Sequence, residues 1–142
     1  PESDAGLVFI GTLETPFKRR EDCPKQGDPE NGPVCQARIS APFLPALEGL
    51  DAYETLQLLY WLDRARRDLL TLARRGGDTP RGAFAMRSPV RPNPIGVSTV
   101  RLLRRDGNRL WVCGLDCLDG TPLVDIKPDL CAFSRRQGSL GA

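Results

Sequence analysis

The chain has 142 residues, of which 40% are hydrophobic and 27% charged, and a net charge of +2. These figures fit one soluble globular domain over 1–142 and exclude a disordered chain; at this length roughly 70% of the unfolded surface is buried on folding. No apolar run approaches the ~20 residues of a membrane-spanning helix, and the absence of histidine excludes Ser–His and Cys–His nucleophile systems.

Taken in order, residues 7–13, "LVFIGTL", read as a first strand closed by Pro16. The polar, Pro- and Gly-rich stretch 18–33 reads as a long loop of the kind that often carries function. Residues 34–40, "VCQARIS", suggest a second strand, ended by Pro42 and Pro45. The stretch 52–75 is ambiguous: Leu56, Leu59 and Leu62 allow a helix, whereas "LQLLYWL" reads equally as a buried strand. The C-terminal half is clearer, with two strand-like runs about Asp106-Gly107, a second turn at Asp119-Gly120, and "PLVDIK" as a short strand stopped by Pro128. Short strands with turns about every ten residues predict a mainly all-β fold, a small antiparallel barrel or sandwich with long loops and little helix.

Three of the 20 basic residues are lysine, which leaves 17 arginines, bunched at 64–67, 74–75, 101–105 and 135–136. They read as a solvated basic surface or as a footprint for an anionic partner such as RNA. The five cysteines (Cys23, Cys35, Cys113, Cys117 and Cys131) are an odd number, which favours free thiols in a reducing, cytoplasmic setting. On a strand, Trp111, Cys113, Leu115 and Cys117 would share one face, so small buried hydrophobes account for them better than a metal site does.

Three segments can carry chemistry. In "RSPVRPNPIG", 87–96, the prolines fix their own φ and push Ser88, Arg91 and Asn93 towards extended conformations. Arg87, Arg91 and Asn93 then fall at even spacings on a stiff rail, which is either the wall of a site or a proline-rich connector with paired arginines. In "LDCLDGTPLVDIKP", 115–128, Asp116, Asp119, Asp125 and Lys127 crowd about a tight turn, with Asp125 and Lys127 on one face opposite Val124 and Ile126. In "DCPKQGD", 22–28, Lys25 and Gln26 follow a proline and are presented extended.

Together, "TPFKRREDCPKQG", "RSPVRPNPIG" and "GLDCLDGTPLVDIKP" resemble the TsaA-like (YaeB-like) family, over about Gly11 to Pro128. Its characterised members are S-adenosylmethionine-dependent tRNA methyltransferases of the TrmO type. The resemblance implies a small β-barrel, a homodimer, and an S-adenosylmethionine site unlike the Rossmann type. It also implies methylation of N6 of N6-threonylcarbamoyl-adenosine beside the tRNA anticodon. Carried over by matching segments, the cofactor site would draw on Lys25, Gln26, Asp63, Arg64, Arg87, Pro92, Pro94, Asp116, Asp119, Gly120, Thr121 and Pro122, with Arg91, Asn93, Asp125 and Lys127 as the catalytic set and no metal. Arg87 or Arg91 would supply a fork for the methionine carboxylate, a turn such as 119–122 would read the adenine, and carbonyls or Asp116 would face the sulfonium. In-line methyl transfer needs positioning more than proton shuffling, which agrees with a chain lacking histidine. Two other readings stay open at this stage: a non-catalytic S-adenosylmethionine-binding module, and a methyltransferase for a small molecule.

Overall fold

A computed structural model describes residues 1–73 and 79–130. Its strands are β1 (Gly11–Glu14), β2 (Val34–Ile39), β3 (Thr55–Trp61), β4 (Thr71–Leu72), β5 (Arg81–Gly82), β6 (Ile95–Asp106), β7 (Arg109–Cys113) and β8 (Thr121–Pro128). Six of them close an antiparallel barrel in the order β1-β2-β7-β6-β3-β8, and β4 and β5 form a separate two-stranded ribbon. The helical segments are short 3-10 turns, at 20–22, 41–47, 50–52 and 83–85. The expected all-β barrel with long loops and little helix is what forms. No described helix is long and apolar enough to cross a membrane.

The barrel follows from period-2 alternation. Leu56, Leu58 and Tyr60 point inward from β3, Val100 and Leu102 from β6, Leu110 and Val112 from β7, and all are buried. Burying each such leucine stabilises the fold by roughly 1.5–3 kcal/mol. This inward set settles the ambiguity of 52–75: the buried positions are two apart, not three or four, so the segment through Trp61 is a strand. The β6–β7 hairpin forms where expected, with Gly107 and Asn108 as its two-residue loop and Gly107 at φ 59°.

Two expectations need correction. The first strand begins at Gly11, and Leu7, Val8 and Phe9 are exposed, because backbone bonding to the flanking chain starts only at Ile10. Strand β7 stops at Cys113, because Gly114 turns the chain at φ 123°. Leu115 and Cys117 therefore reach the core from a bent segment, whereas Trp111 faces outward under the Arg104 guanidinium, 3.8 Å from its ring centre. The cysteines themselves are mostly buried, as expected: Cys35, Cys113 and Cys117 are buried and free. Desolvation pushes the Cys117 thiol up to about 12 and, with the neighbouring Cys113, that of Cys35 to about 11, which keeps both unreactive. Cys131 and the clusters at 74–75 and 135–136 lie outside the described residues.

The 3-10 segments at 41–47 and 50–52 close one end of the barrel, where Leu47 is buried and Phe43, Leu44 and Leu50 pack against the core. The opposite end, at Leu62, Ile95, Gly114 and Thr121, stays open.

Candidate functional site

At that open end a cleft of about 1260 Å³ runs from the barrel mouth across the outer face of β6. Three parts of the chain wall it in: the loop around 20–29, the stretches 62–65 and 84–97, and the segment 114–118 with Thr121. Each is held by local chemistry.

The early loop lies flat on the barrel because Gly27 meets the carbonyl of Gly114 with no room for a side chain between them. Arg101 Nε donates to Pro29 O at 2.9 Å, and the Asp28 carboxylate accepts the amides of Glu30 and Asn31 at 2.9 and 3.1 Å. These bonds leave Lys25 and Gln26 facing the cleft.

The middle wall bends more than a straight rail would. Ser88 Oγ accepts the Val90 amide at 3.1 Å, and Arg91 Nη1 folds back to donate to Met86 O and Ser88 O, each at 3.0 Å. Arg91 thus lines the cleft while tying its own loop together. Arg87 has a weaker tie, with Nη2 3.5 Å from Val97 O, and its guanidinium is the freer fork of the two. Arg67, stacked 5.2 Å from the Trp61 ring centre, donates to Pro92 O at 2.7 Å and to Asn93 Oδ1 at 3.3 Å. Pro94 is buried, and its carbonyl accepts the Leu62 amide at 2.8 Å, which joins the proline segment to the end of β3. Asp63 and Arg64 follow in that turn and border the cleft at its exposed rim.

The third wall is fastened to the segment that follows β1. Thr15 Oγ1 donates to Cys117 O at 2.9 Å, the Thr15 amide donates to Asp119 Oδ1 at 3.0 Å, and Lys18 Nζ pairs with Asp119 Oδ2 at 2.7 Å. Thr121 Oγ1 donates to Leu118 O at 2.6 Å. On the floor, Asp116 lies beside the hydroxyls of Tyr60 and Ser98.

The fold therefore brings Lys25, Gln26, Asp63, Arg64, Arg87, Arg91, Asn93, Asp116 and Thr121 to one cleft. It does not bring the other expected residues there. Asp125 and Lys127 form an exposed ion pair at 3.8 Å on β8, because the strand carries them past the mouth; Asp125 instead borders a small apolar hollow beside Phe43 and Leu47. Asp119 is turned away by its bonds to Thr15 and Lys18, and Gly120 donates its amide to Leu13 O. Pro122 sits on the barrel wall opposite Thr12, and Pro92 and Pro94 shape the backbone of the middle wall without lining the cleft. Sequence reasoning missed Tyr60 and Ser98. Their signal was weak but present: a tyrosine and a serine at core-facing positions of paired strands need a polar partner.

Among the described residues lining the cleft, Arg20, Lys25, Arg64, Arg87 and Arg91 set five positive charges against the two of Asp63 and Asp116. Such a site suits a ligand with an anionic end. Several known proteins are similar to the chain. The chain is 52% identical over 128 residues to the "Probable S-adenosyl-L-methionine-binding protein VirR" of Rhizobium radiobacter, covering 90% of this chain and 73% of that protein. It is 38% identical over 135 residues to an "S-adenosyl-L-methionine-binding protein" of Archaeoglobus fulgidus, covering 93% of this chain and 96% of the other. Among solved structures, a crystal structure of TrmO superposes with a TM-score of 0.74 at 32% identity over 95% of this chain, and TrmO from Pseudomonas aeruginosa with 0.72 at 33% over 99%. The chain spans 64% of the length of each of those TrmO chains. With residues 12–133 matching its family model, the chain belongs to the tRNA-methyltransferase O N-terminal domain family.

Proposed function

We propose that the cleft binds S-adenosylmethionine and that the chain is a methyltransferase acting on N6 of N6-threonylcarbamoyl-adenosine beside a tRNA anticodon. The observation that carries this reading is the convergence of the three motif-bearing segments on one cleft in a chain of this family. The names of the relatives support the cofactor, and the family description supports tRNA as the acceptor.

The residues present fit the cofactor. A cleft of about 1260 Å³ exceeds the ~300–1,000 Å³ of ordinary small-molecule sites, which leaves room for an acceptor beside a nucleoside-sized ligand. Arg87, with Arg64 or Lys25 at the rim, would hold the methionine carboxylate. Backbone groups of Gly114 and Asp116 would read an adenine edge, and Asp116 would offer the floor a negative charge. When bound, S-adenosylmethionine supplies an activated methyl group on a sulfonium. The chain's own contribution is to hold donor and acceptor in line and to exclude water, a source of acceleration that needs no histidine. A homodimer and a tRNA backbone held by exposed arginines belong to the same proposal.

Incubation of the protein with methyl-labelled S-adenosylmethionine and tRNA, with and without the threonylcarbamoyl group, tests it. Label should enter only the modified tRNA. Binding of the cofactor without transfer to any RNA would leave the chain a binding module, and transfer to a small acceptor alone would redirect the substrate assignment.

A further inference from the structure

Tyr60 points inward at the mouth end of β3, and its hydroxyl lies 2.6 Å from Ser98 Oγ and 2.7 Å from Asp116 Oδ1, to which it donates. Ser98 Oγ approaches the same oxygen at 3.4 Å. Two buried hydroxyls from neighbouring strands thus converge on Oδ1, and Asp116 Oδ2 has no hydrogen-bond partner among the described residues. The ring of Tyr60 fits only because position 96 is glycine: a side chain there would overlap it. Burial, reinforced by the Asp116 charge, pushes the Tyr60 phenol well above its ordinary range, so it remains a neutral donor. The other carboxylate lining the cleft, Asp63, is exposed at the rim, so among the described residues Asp116 is the one half-buried carboxylate that lines it.

We propose that Tyr60 and Ser98 are positioning residues that hold Asp116 as a fixed counter-charge, through which the cleft distinguishes the cationic methyl donor from its neutral thioether by-product. The inference rests on the reading of the cleft as an S-adenosylmethionine site. Methyl transfer leaves the electron pair of the broken S–CH3 bond on sulfur, so the sulfonium becomes a thioether. The acceptor nitrogen forms the new N–CH3 bond with its own pair and gives its proton to water. The attraction to Asp116 is present before the step and gone after it. The by-product is then held by its adenosine and carboxylate contacts alone, which favours its release.

The test needs no acceptor. Titration calorimetry on the full chain compares S-adenosylmethionine with S-adenosylhomocysteine for the wild type, Asp116→Asn and Tyr60→Phe. Asparagine keeps an oxygen for the Tyr60 hydroxyl and removes only the charge. We expect Asp116→Asn to weaken the donor about tenfold and the by-product less than about twofold, with Tyr60→Phe intermediate. Equal weakening of both ligands, or of neither, by Asp116→Asn overturns the proposal. If that variant does not fold, an unchanged preference in Tyr60→Phe does the same. A wild type that binds neither ligand removes the cofactor reading itself, and the inference with it, whereas tight binding of both with an unaltered preference removes the inference alone.

Discussion

Gly27 and Gly114 stand face to face, the first so close to the carbonyl of the second that a Cβ on Gly27 would overlap that oxygen. The obstacle is backbone, which cannot rotate out of the way. Gly27→Ala should therefore lift the early loop from the barrel and carry Lys25 and Gln26 out of the cleft. The expected cost is about 1–3 kcal/mol of strain, read as a lower unfolding midpoint, with a loss of S-adenosylmethionine affinity of at least about tenfold. A variant with unchanged affinity would show that this loop is not part of the binding wall.

Arg91 ties its own loop through two carbonyls, Met86 O and Ser88 O. Arg91→Ala removes hydrogen bonds from a charged donor, each on the order of 1.5–3 kcal/mol. The loop from 86 to 93 should become sensitive to limited proteolysis, and cofactor affinity and turnover should fall together. Lysine should restore little, because a single ammonium cannot reproduce the planar fork. Unchanged affinity and turnover in Arg91→Ala would remove this residue from the site.

Asp125→Ala and Lys127→Ala offer the contrast. Their side chains are 51% and 60% exposed, and the pair lies away from the cleft. Each change should alter stability by less than about 1 kcal/mol and leave methyl transfer near the wild-type rate. A large loss of activity from either would mean that β8 takes part in the chemistry after all.

Strong acid should loosen the third wall. The bond from Lys18, followed by that from the Thr15 amide, holds the Asp119 carboxyl below the usual carboxylate range. A group with a lowered folded-state pKa contributes stability above its unfolded value and loses it as pH falls through the folded one. Thermal midpoints followed from about pH 5 down to about pH 2 should drop more steeply in the wild type than in Asp119→Asn. Parallel curves would show that the Asp119 pair adds nothing to stability.

The barrel was legible in the sequence wherever one signal dominated. The Asp106-Gly107 turn signal and the alternation of β6 and β7 named their own hairpin, whose loop falls one residue later at 107–108, and the proline-bracketed motifs named the cleft walls. The segment around Leu56 was not decidable, because its apolar run satisfies both a helical and a strand period; only pairing to β6 on one side and β8 on the other selects the strand. Asp119 and Asp125 were misplaced for a different reason. Their proximity in sequence to Asp116 and Thr121 gave no hint that Thr15 and Lys18 turn Asp119 away or that β8 carries Asp125 past the mouth. Tyr60 and Ser98 stayed hidden because a core-facing hydroxyl declares its partner only when the third element, the Asp116 segment, is folded over the strands.

The contrast between closed ladder and bordering loops has a consequence for dynamics. Amides locked in β3, β6 and β7 open only when much of the barrel opens, whereas those of the early loop and the 86–93 bend open locally. In a hydrogen-exchange experiment the strands become an internal clock that ligand leaves nearly unmoved. Occupancy of the cleft would then be recorded as slowed exchange in the two loops, and the difference between the two loops would show which of them each ligand reaches.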